Sequence, residues 1–98
     1  MKISDIYLKG YIKIPKDGHY TFYLTSNDGS KLYLSDQLLI DNDGANRVST
    51  RDSAASLRKG FHKIRIAYFQ AGGGKEVRVS WKGTGLIKEE IPETILFQ

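Results

Sequence analysis

Several residue types and patterns are missing from this chain of 98 residues, and each absence excludes a class of structure. There is no cysteine, which excludes disulfides, thiolate metal sites and thiol nucleophiles. No apolar run approaches the ~20 residues that a membrane-spanning helix needs, so we predict no membrane insertion. The opening stretch, MKISDIYLKG, lacks the apolar core of a signal peptide, so we expect no export signal in this sequence.

A large excess of one charge is also missing, since the formal net charge is only +4. The basic residues are scattered from Lys2 to Lys88, and many alternate with apolar ones, as Arg65 does between Ile64 and Ile66. This alternation is typical of a solvated face of a sheet. Because no nucleic-acid motif accompanies the charge, we predict that nucleic acid is not a partner.

What the chain does contain is a series of short strand patterns, without an amphipathic helix. β-Branched and aromatic residues alternate with polar ones, or form brief apolar runs, between turn signals. These patterns predict strands over Ile6–Ile14, Tyr20–Ser26, Leu32–Leu34, Leu38–Ile40, Phe61–Gln70 and Val77–Trp81. The expected fold is all-β, an antiparallel β-sandwich forming a single domain over residues 1–98.

The stretch from Ser26 to Gly44 concentrates turn signals between two of these strands. A three-residue loop at Asn27-Asp28-Gly29 predicts a hairpin, because glycine suits its last position. In this register Leu24 would face Leu32, Phe22 would face Leu34 and Tyr23 would face Tyr33. A second turn is predicted at Ser35-Asp36. The polar segment Ala45–Arg58 is interpreted as a long loop that ends in a short edge strand. A further turn is predicted at Lys59-Gly60 and a flexible connection at Ala71–Gly74, and the tail Ile91–Phe97 is expected to pack as an edge segment.

The turns of this stretch bring carboxylates and amides together, which leaves three explanations open. Such residues are common in turns because their side chains bond back to the backbone. They are also hard oxygen ligands of the kind that calcium prefers, although their spacing does not match an EF-hand loop. A third use is to hydrogen-bond the hydroxyls of a polyhydroxylated ligand. The residues concerned are Asn27, Asp28, Asp41, Asn42 and Asp43.

A sugar site also needs an aromatic face, and the sequence gives no firm candidate. Tyr11, Tyr23 and Tyr33 occupy outward positions, and we interpret Tyr23 and Tyr33 as a cross-strand pair that covers the sheet. Trp81 falls at an inward position and is predicted to lie in the core.

Catalytic groups are not arranged in a pattern that supports enzyme chemistry. His19 and His62 are the only histidines, and no spacing ties either one to a serine nucleophile and an orienting acid. The glutamates lie among lysines and in the tail, without an apolar pocket that would raise a pKa. We therefore predict that the domain is not an enzyme.

Three segments resemble the protective-antigen domain family, which is found in bacterial toxins, glycoside hydrolases and yeast adhesins. They read GYIKIPKDGHYTFYLTSNDGSKLYLSDQLLIDNDG, LRKGFHKIRIAYFQAGGGKEVRVSWKG and IPETILF, in the family's order from Leu8 to Phe97. The resemblance implies a β-sandwich and a non-catalytic module attached to a larger carbohydrate-active or cell-surface protein. It thus implies a secreted, periplasmic or cell-surface location.

In the adhesin branch of this family, two adjacent aspartates joined by a cis peptide bind calcium, which then holds the sugar. Here the matching pair is Asn27-Asp28, so one carboxylate is absent and calcium binding is expected to be weak or absent. The chain is more similar to the glycoside-hydrolase branch, in which the domain extends or shapes a neighbouring active site.

These observations lead to the hypothesis of an accessory module that contributes to glycan recognition. Its partner would be a glycan or a neighbouring catalytic domain. The predicted carbohydrate-binding residues are expected to lie on loops, and they are Asp28, Asn42, Asp43, Arg47 and Gln70. The alternatives are a module that only packs on a catalytic domain, and a calcium-dependent lectin that uses Asn27 and Asp28. The sequence does not indicate the sugar, the parent protein or the oligomeric state.

Overall fold

The strand patterns of the sequence form β-strands throughout the computed structural model. It describes residues 3–70, 77–83, 85–92 and 96–97, except for the side chains of 3–7, 27–28, 43–48, 69–70 and 97. These ranges contain no helix that is long and apolar enough to cross a membrane. Their strands are β1 (Ile3–Ile14), β2 (Gly18–Leu34), β3 (Gln37–Leu57), β4 (Gly60–Gln70), β5 (Val77–Gly83), β6 (Leu86–Glu90) and β7 (Leu96–Phe97).

Strand β2 belongs to both sheets of the molecule. Its residues 20–26 pair with β5, whereas its residues 29–34 pair with β4, and β3 follows β2 along the other side. The first sheet therefore has the order β6-β5-β2-β3 and the second the order β3-β2-β4-β1-β7, all antiparallel. The predicted all-β antiparallel sandwich is confirmed.

The core lies between the two sheets because alternate side chains of each strand point inward. Tyr20, Phe22 and Leu24 are fully buried in the first sheet, as the alternation predicts. The other buried hydrophobic residues of the core cluster are Ile12, Ile14, Leu32, Leu34, Ile40, Ile64, Ile66, Trp81 and Ile91. Trp81 is 3% exposed and stacks on Tyr20 with ring centroids 5.4 Å apart, so its predicted core position is confirmed.

The predicted hairpin at Asn27-Asp28-Gly29 is wrong. This tripeptide lies inside β2, where the strand bends from one sheet to the other instead of reversing. Leu24 consequently pairs with Arg51 of β3, and Leu32 pairs with Ile40. The turn signal was misinterpreted because a sharp bend uses the same residue types as a reversal.

The reversal that follows β2 is the predicted turn at Ser35-Asp36, which is confirmed. Both residues have positive φ, 50° and 65°, and the flanking Leu34 and Gln37 pair with each other. This is the geometry of a two-residue hairpin turn that matches the twist of its strands. Gly60, with φ 127°, forms the predicted turn before β4.

The interpretation of Ala45–Arg58 as a loop with a short strand is also wrong, because β3 runs without a break to Leu57. This strand hydrogen-bonds to β2 alone among the described strands, and polar residues therefore fill its exposed positions. Alternation is visible only near its end, where Ala55 and Leu57 pack against the core. Strand β6 escaped prediction since four of its five residues are exposed.

Two predictions concern the ends of the other strands. The flexible connection predicted at Ala71–Gly74 lies outside the described residues. The tail was predicted to pack as an edge segment, and β7 does pair with the edge of β1 through Tyr11 and Ile12.

Candidate functional site

The bend of β2 brings three strands together at one place on the sandwich. Gly29 pairs with Asp43 of β3 on one side and with Phe69 of β4 on the other. On the far side of the bend, Asn27 pairs with Val48. Residues 44–47 of β3 therefore lie opposite Asp28 as an extended bulge.

Four of the predicted site residues are gathered at this bend by the backbone. Asp28 lies in the bend itself, and Asp43 is opposite the next residue, Gly29. Arg47 precedes the partner of Asn27, and Gln70 follows the β4 partner of Gly29. They lie in strands and not on loops as predicted. Their side chains lie outside the described part, so their binding roles stay a prediction.

Asn42 departs from the prediction that it faces a ligand. Its side chain is fully buried, because Asn42 occupies an inward position of β3 opposite Ser30. Its Nδ2 donates to the carbonyls of Leu24 (3.1 Å) and Ser49 (2.9 Å), and its Oδ1 accepts a hydrogen bond from the Ser49 hydroxyl (2.9 Å). Asn42 thus positions the backbone on both sides of the bend.

Two buried serines that sequence reasoning missed complete this arrangement. The hydroxyls of Ser26 and Ser30 are 2.6 Å apart across the bend, and both residues are 0% exposed. With Asn42 and Ser49 they form a polar group that we call the bend cluster. A signal for it exists in the sequence, since both serines continue the inward alternation of Leu24 and Leu32.

The bend cluster gives the site a rigid base. Buried polar groups cost free energy unless they are hydrogen-bonded, and here each hydroxyl and amide has a partner inside the protein. A satisfied network of this kind holds one backbone geometry. The buried hydrogen bonds of the bend cluster therefore fix the backbone that carries Asp28 and Asp43.

Comparison with known proteins identifies the family to which this chain belongs. The model of the PA14 domain matches residues 6–94, which is most of the chain. The chain belongs to the PA14 domain family. This is the protective-antigen family that its sequence resembles.

Relatives of this PA14 domain are longer proteins. A β-hexosaminidase of Porphyromonas gingivalis is 36% identical over 63 residues, which cover 63% of this chain and 8% of the enzyme. An anti-sigma factor domain-containing protein from Clostridium clariflavum superposes with a TM-score of 0.82 at 33% identity, over 91% of this chain and 31% of that one. The chain thus spans less than a third of either protein.

A third comparison supports the fold alone. The PA14 sugar-binding domain from an RTX adhesin superposes with a TM-score of 0.79 at 23% identity. The match covers 92% of this PA14 domain and 51% of the adhesin chain.

The suggested calcium pair, Asn27 and Asp28, lies at the centre of the bend. Its side chains are outside the described part of this PA14 domain, so the metal hypothesis stays a prediction. In the described residues no peptide bond is cis, and no three His, Cys, Asp or Glu side chains cluster to hold a metal ion.

Tyr23 and Tyr33 of the PA14 domain are not the cross-strand pair that was predicted, because Tyr23 pairs with Asp52 and Tyr33 with Leu38. Tyr33 lies beneath the Arg65 guanidinium, whose carbon is 4.2 Å from the ring centroid. Tyr23 lies beneath Lys88, whose Nζ is 4.1 Å from its ring. Each ring is therefore covered by a cation, which removes it as an open platform for a sugar.

The histidines make local contacts. His19 Nδ1 is 2.8 Å from the Ser56 hydroxyl, and His62 Nε2 is 2.7 Å from the carbonyl of Arg58. The nearby carboxylate of Asp17 accepts a hydrogen bond from the Lys59 backbone N–H. The His19 contact joins the paired strands β2 and β3, and the other two lie at the turn before β4. In the described residues no carboxylate is hydrogen-bonded to either histidine.

Proposed function

We propose that this PA14 domain is a non-catalytic carbohydrate-binding module of a larger glycoside hydrolase and that it binds glycan at the bend of β2. The observation that carries the proposal is the strand pairing around Gly29, which gathers Asp28, Asp43, Arg47 and Gln70. Carboxylate, amide and guanidinium groups bond neighbouring sugar hydroxyls in pairs. The bend cluster beneath them supplies the rigid support that a binding site needs.

The relatives support the same class of ligand and of parent protein. One solved relative is named as a sugar-binding domain, and a curated relative is a β-hexosaminidase, of which the matched segment covers 8%. A module of this kind acts outside the catalytic domain and extends its contacts with the glycan. The parent protein would accordingly be secreted, periplasmic or displayed on the cell surface.

The affinity expected for the isolated domain is low. The bend is a surface feature, and a shallow, hydrated site displaces little ordered area when a sugar binds. We expect a Kd of about 1 mM or weaker for a monosaccharide, a binding free energy of about 4 kcal/mol. Attachment to the enzyme raises the effective concentration of the module at a polymeric substrate.

NMR shift mapping with a panel of neutral oligosaccharides tests the proposal. The amides of residues 27–29, 42–48 and 69–70 should shift together, and Asp28→Ala should abolish the effect. Asp52→Ala removes a carboxylate from the exposed part of β3 and serves as the matched control. Binding that persists in Asp28→Ala, or shifts confined to other surfaces, would contradict the assignment.

The same panel separates the alternatives. Loss of sugar binding after chelation would indicate a calcium-dependent lectin. Absence of any sugar binding, together with a stable complex with the catalytic domain, would indicate a module that only packs on its neighbour.

A further inference from the structure

A second surface, away from the bend, has the charge and shape of a binding site. The outer face of the second sheet carries an open depression of about 620 Å³ between β1 and β4. It is lined by Lys9, Gly10, Tyr11, Asp36, Lys63 and Arg65. Its β4 residues are Lys63 and Arg65, whereas the bend meets β4 at Phe69. We call this surface the basic groove.

The charges of the basic groove do not cancel. Strand pairing sets Lys9 opposite Arg65 and Tyr11 opposite Lys63, so three cations lie on adjacent positions of two strands. Among the described lining residues the one carboxylate is that of Asp36, which lies 3.1 Å from the Lys63 ammonium and is largely exposed. An excess of positive charge therefore remains where a ligand would lie, and an anionic ligand would compensate it.

One cation of the groove is held in place before any ligand arrives. The guanidinium of Arg65 lies 4.2 Å above the ring of Tyr33, so the stacking restricts its orientation. A planar, oriented guanidinium suits a carboxylate, which it binds through two parallel hydrogen bonds. Tyr11 also lines the groove and is 43% exposed, and the ring of a tyrosine is of the size of a pyranose ring.

We infer that the basic groove binds a carboxylate-bearing oligosaccharide, an oligouronate. The carboxylates would bind Arg65 and Lys9, and a sugar ring would lie on Tyr11. The choice of a glycan rests on the proposed function, whereas the acidic character follows from the groove alone. Single-stranded nucleic acid, the other common polyanion, needs successive aromatic rings for its bases. Among the side chains that the structure describes, Tyr11 is the one aromatic residue lining the groove, and Arg65 covers the neighbouring Tyr33.

The test titrates a short oligouronate into the domain and follows the backbone amides by NMR, with the methyl ester of the same oligosaccharide as the neutral control. The oligouronate should shift the amides of Lys9, Tyr11, Lys63 and Arg65, and the ester should not. Between about 0.1 M and about 1 M NaCl the screening length falls from about 10 Å to about 3 Å, so affinity should fall steeply.

Charge variants distinguish the groove from the net charge of the molecule. Lys9→Glu should weaken oligouronate binding about tenfold, as removal of a charge-assisted contact does. Lys82→Glu makes the same change on β5 of the other sheet and should leave the affinity within about twofold. Asp36→Asn should strengthen binding, because it removes the carboxylate that occupies Lys63. A gain of affinity cannot come from damage to the fold.

Three outcomes would overturn the inference. They are equal losses in Lys9→Glu and Lys82→Glu, shifts away from the groove, and tighter binding of a single-stranded oligonucleotide at the same residues. The arms also separate the two proposals. If neutral sugars do not shift the amides of the bend, the proposed function is contradicted and the inference about the basic groove is not. If the oligouronate does not shift the amides of the basic groove, only that inference is contradicted.

Discussion

At the scale of single residues, Asn42 shows how a residue type that suggests ligand binding can be structural. In the sequence, an asparagine beside an aspartate resembles a sugar-binding group. The residue type does not reveal that the Asn42 side chain is buried. The inward position follows from pairing with Ser30 across β2 and β3, which depends on the bend. Asn42 therefore supports the candidate site without facing solvent.

We predict that Asn42→Ala lowers the free energy of unfolding by about 2–4 kcal/mol. The variant leaves the buried Leu24 carbonyl unpaired, which costs about 1–3 kcal/mol, and it also removes the partners of the Ser49 carbonyl and hydroxyl, which cost less because they are only part-buried. Urea denaturation followed by tryptophan fluorescence measures the change. The control is Asp41→Ala on the exposed side of the same strand, with an expected effect within about 0.5 kcal/mol. Equal effects would mean that the bend cluster contributes nothing.

We also predict that Leu32→Ala destabilises the domain by about 2–5 kcal/mol, the cost of truncating a buried leucine. Leu32 is 0% exposed and lies in the core cluster. Tyr33→Ala should cost clearly less, because Tyr33 is only partly buried on the outer face beneath Arg65. The two urea midpoints compare them directly. A larger loss of stability in Tyr33→Ala than in Leu32→Ala would show that the inward and outward faces of β2 are assigned the wrong way round.

At the scale of strands, the sequence predicts which side chains point inward but not which strands pair. Alternation fixes the face of Tyr20, Phe22 and Leu24 independently of any partner, so a wrong register leaves the burial prediction correct. The predicted pairing of Leu24 with Leu32 is wrong because Asn27-Asp28-Gly29 has the residue types of a chain reversal, whereas the strand bends there. Partner choice depends on contacts between distant parts of the chain, which a local pattern does not contain.

The Ser35-Asp36 turn gives a prediction at this scale. Both residues adopt positive φ, which glycine adopts without cost, asparagine and aspartate more readily than other residues, and serine only at a cost in energy. The double substitution Ser35→Asn and Asp36→Gly should raise the free energy of unfolding by about 0.5–1 kcal/mol. Calorimetry would detect it as a higher Tm.

A matched variant isolates the backbone effect of that double substitution. Replacing Asp36 also breaks its contact with Lys63, and Lys63→Ala breaks the same contact without changing the turn. Because an exposed ion pair contributes about 0–1 kcal/mol, we expect Lys63→Ala to be nearly neutral or slightly destabilising. Destabilisation by the double substitution would show that the turn is not strained.

At the scale of the whole molecule, the two candidate surfaces differ in how far the sequence predicts them. Asp28 and Asp43 of the bend are predictable because they lie in one short stretch of turn signals. Arg47 and Gln70 are indicated only by their hydrogen-bonding groups. The basic groove was missed because Lys9 and Arg65 are distant in sequence and meet only through the pairing of β1 with β4. Scattered charges indicate a surface only when the register is known.

Calcium affinity tests how this domain differs from the calcium-binding adhesin branch of its family. We expect titration calorimetry of the metal-free domain to give a dissociation constant weaker than about 1 µM, because Asn27 supplies no charge beside Asp28 and ligand charge tunes calcium affinity. Asn27→Asp should strengthen binding about tenfold or more. Gln37→Asp adds the same charge at the remote Ser35-Asp36 turn and should have no effect. A submicromolar site in the unaltered domain would favour the calcium-dependent lectin.

The bulge opposite Asp28 has a consequence for how this fold can change over time. The pairs Gly29–Asp43 and Asn27–Val48 bracket residues 44–47 and fix the register of β3 on either side. Residues inserted between these two pairs would lengthen the bulge without shifting any inward side chain, and loop closure becomes only slowly more costly with length. Insertions and deletions here would enlarge or shrink the proposed glycan-binding surface while the sandwich is preserved. The length of one short segment would therefore set the size of the proposed site.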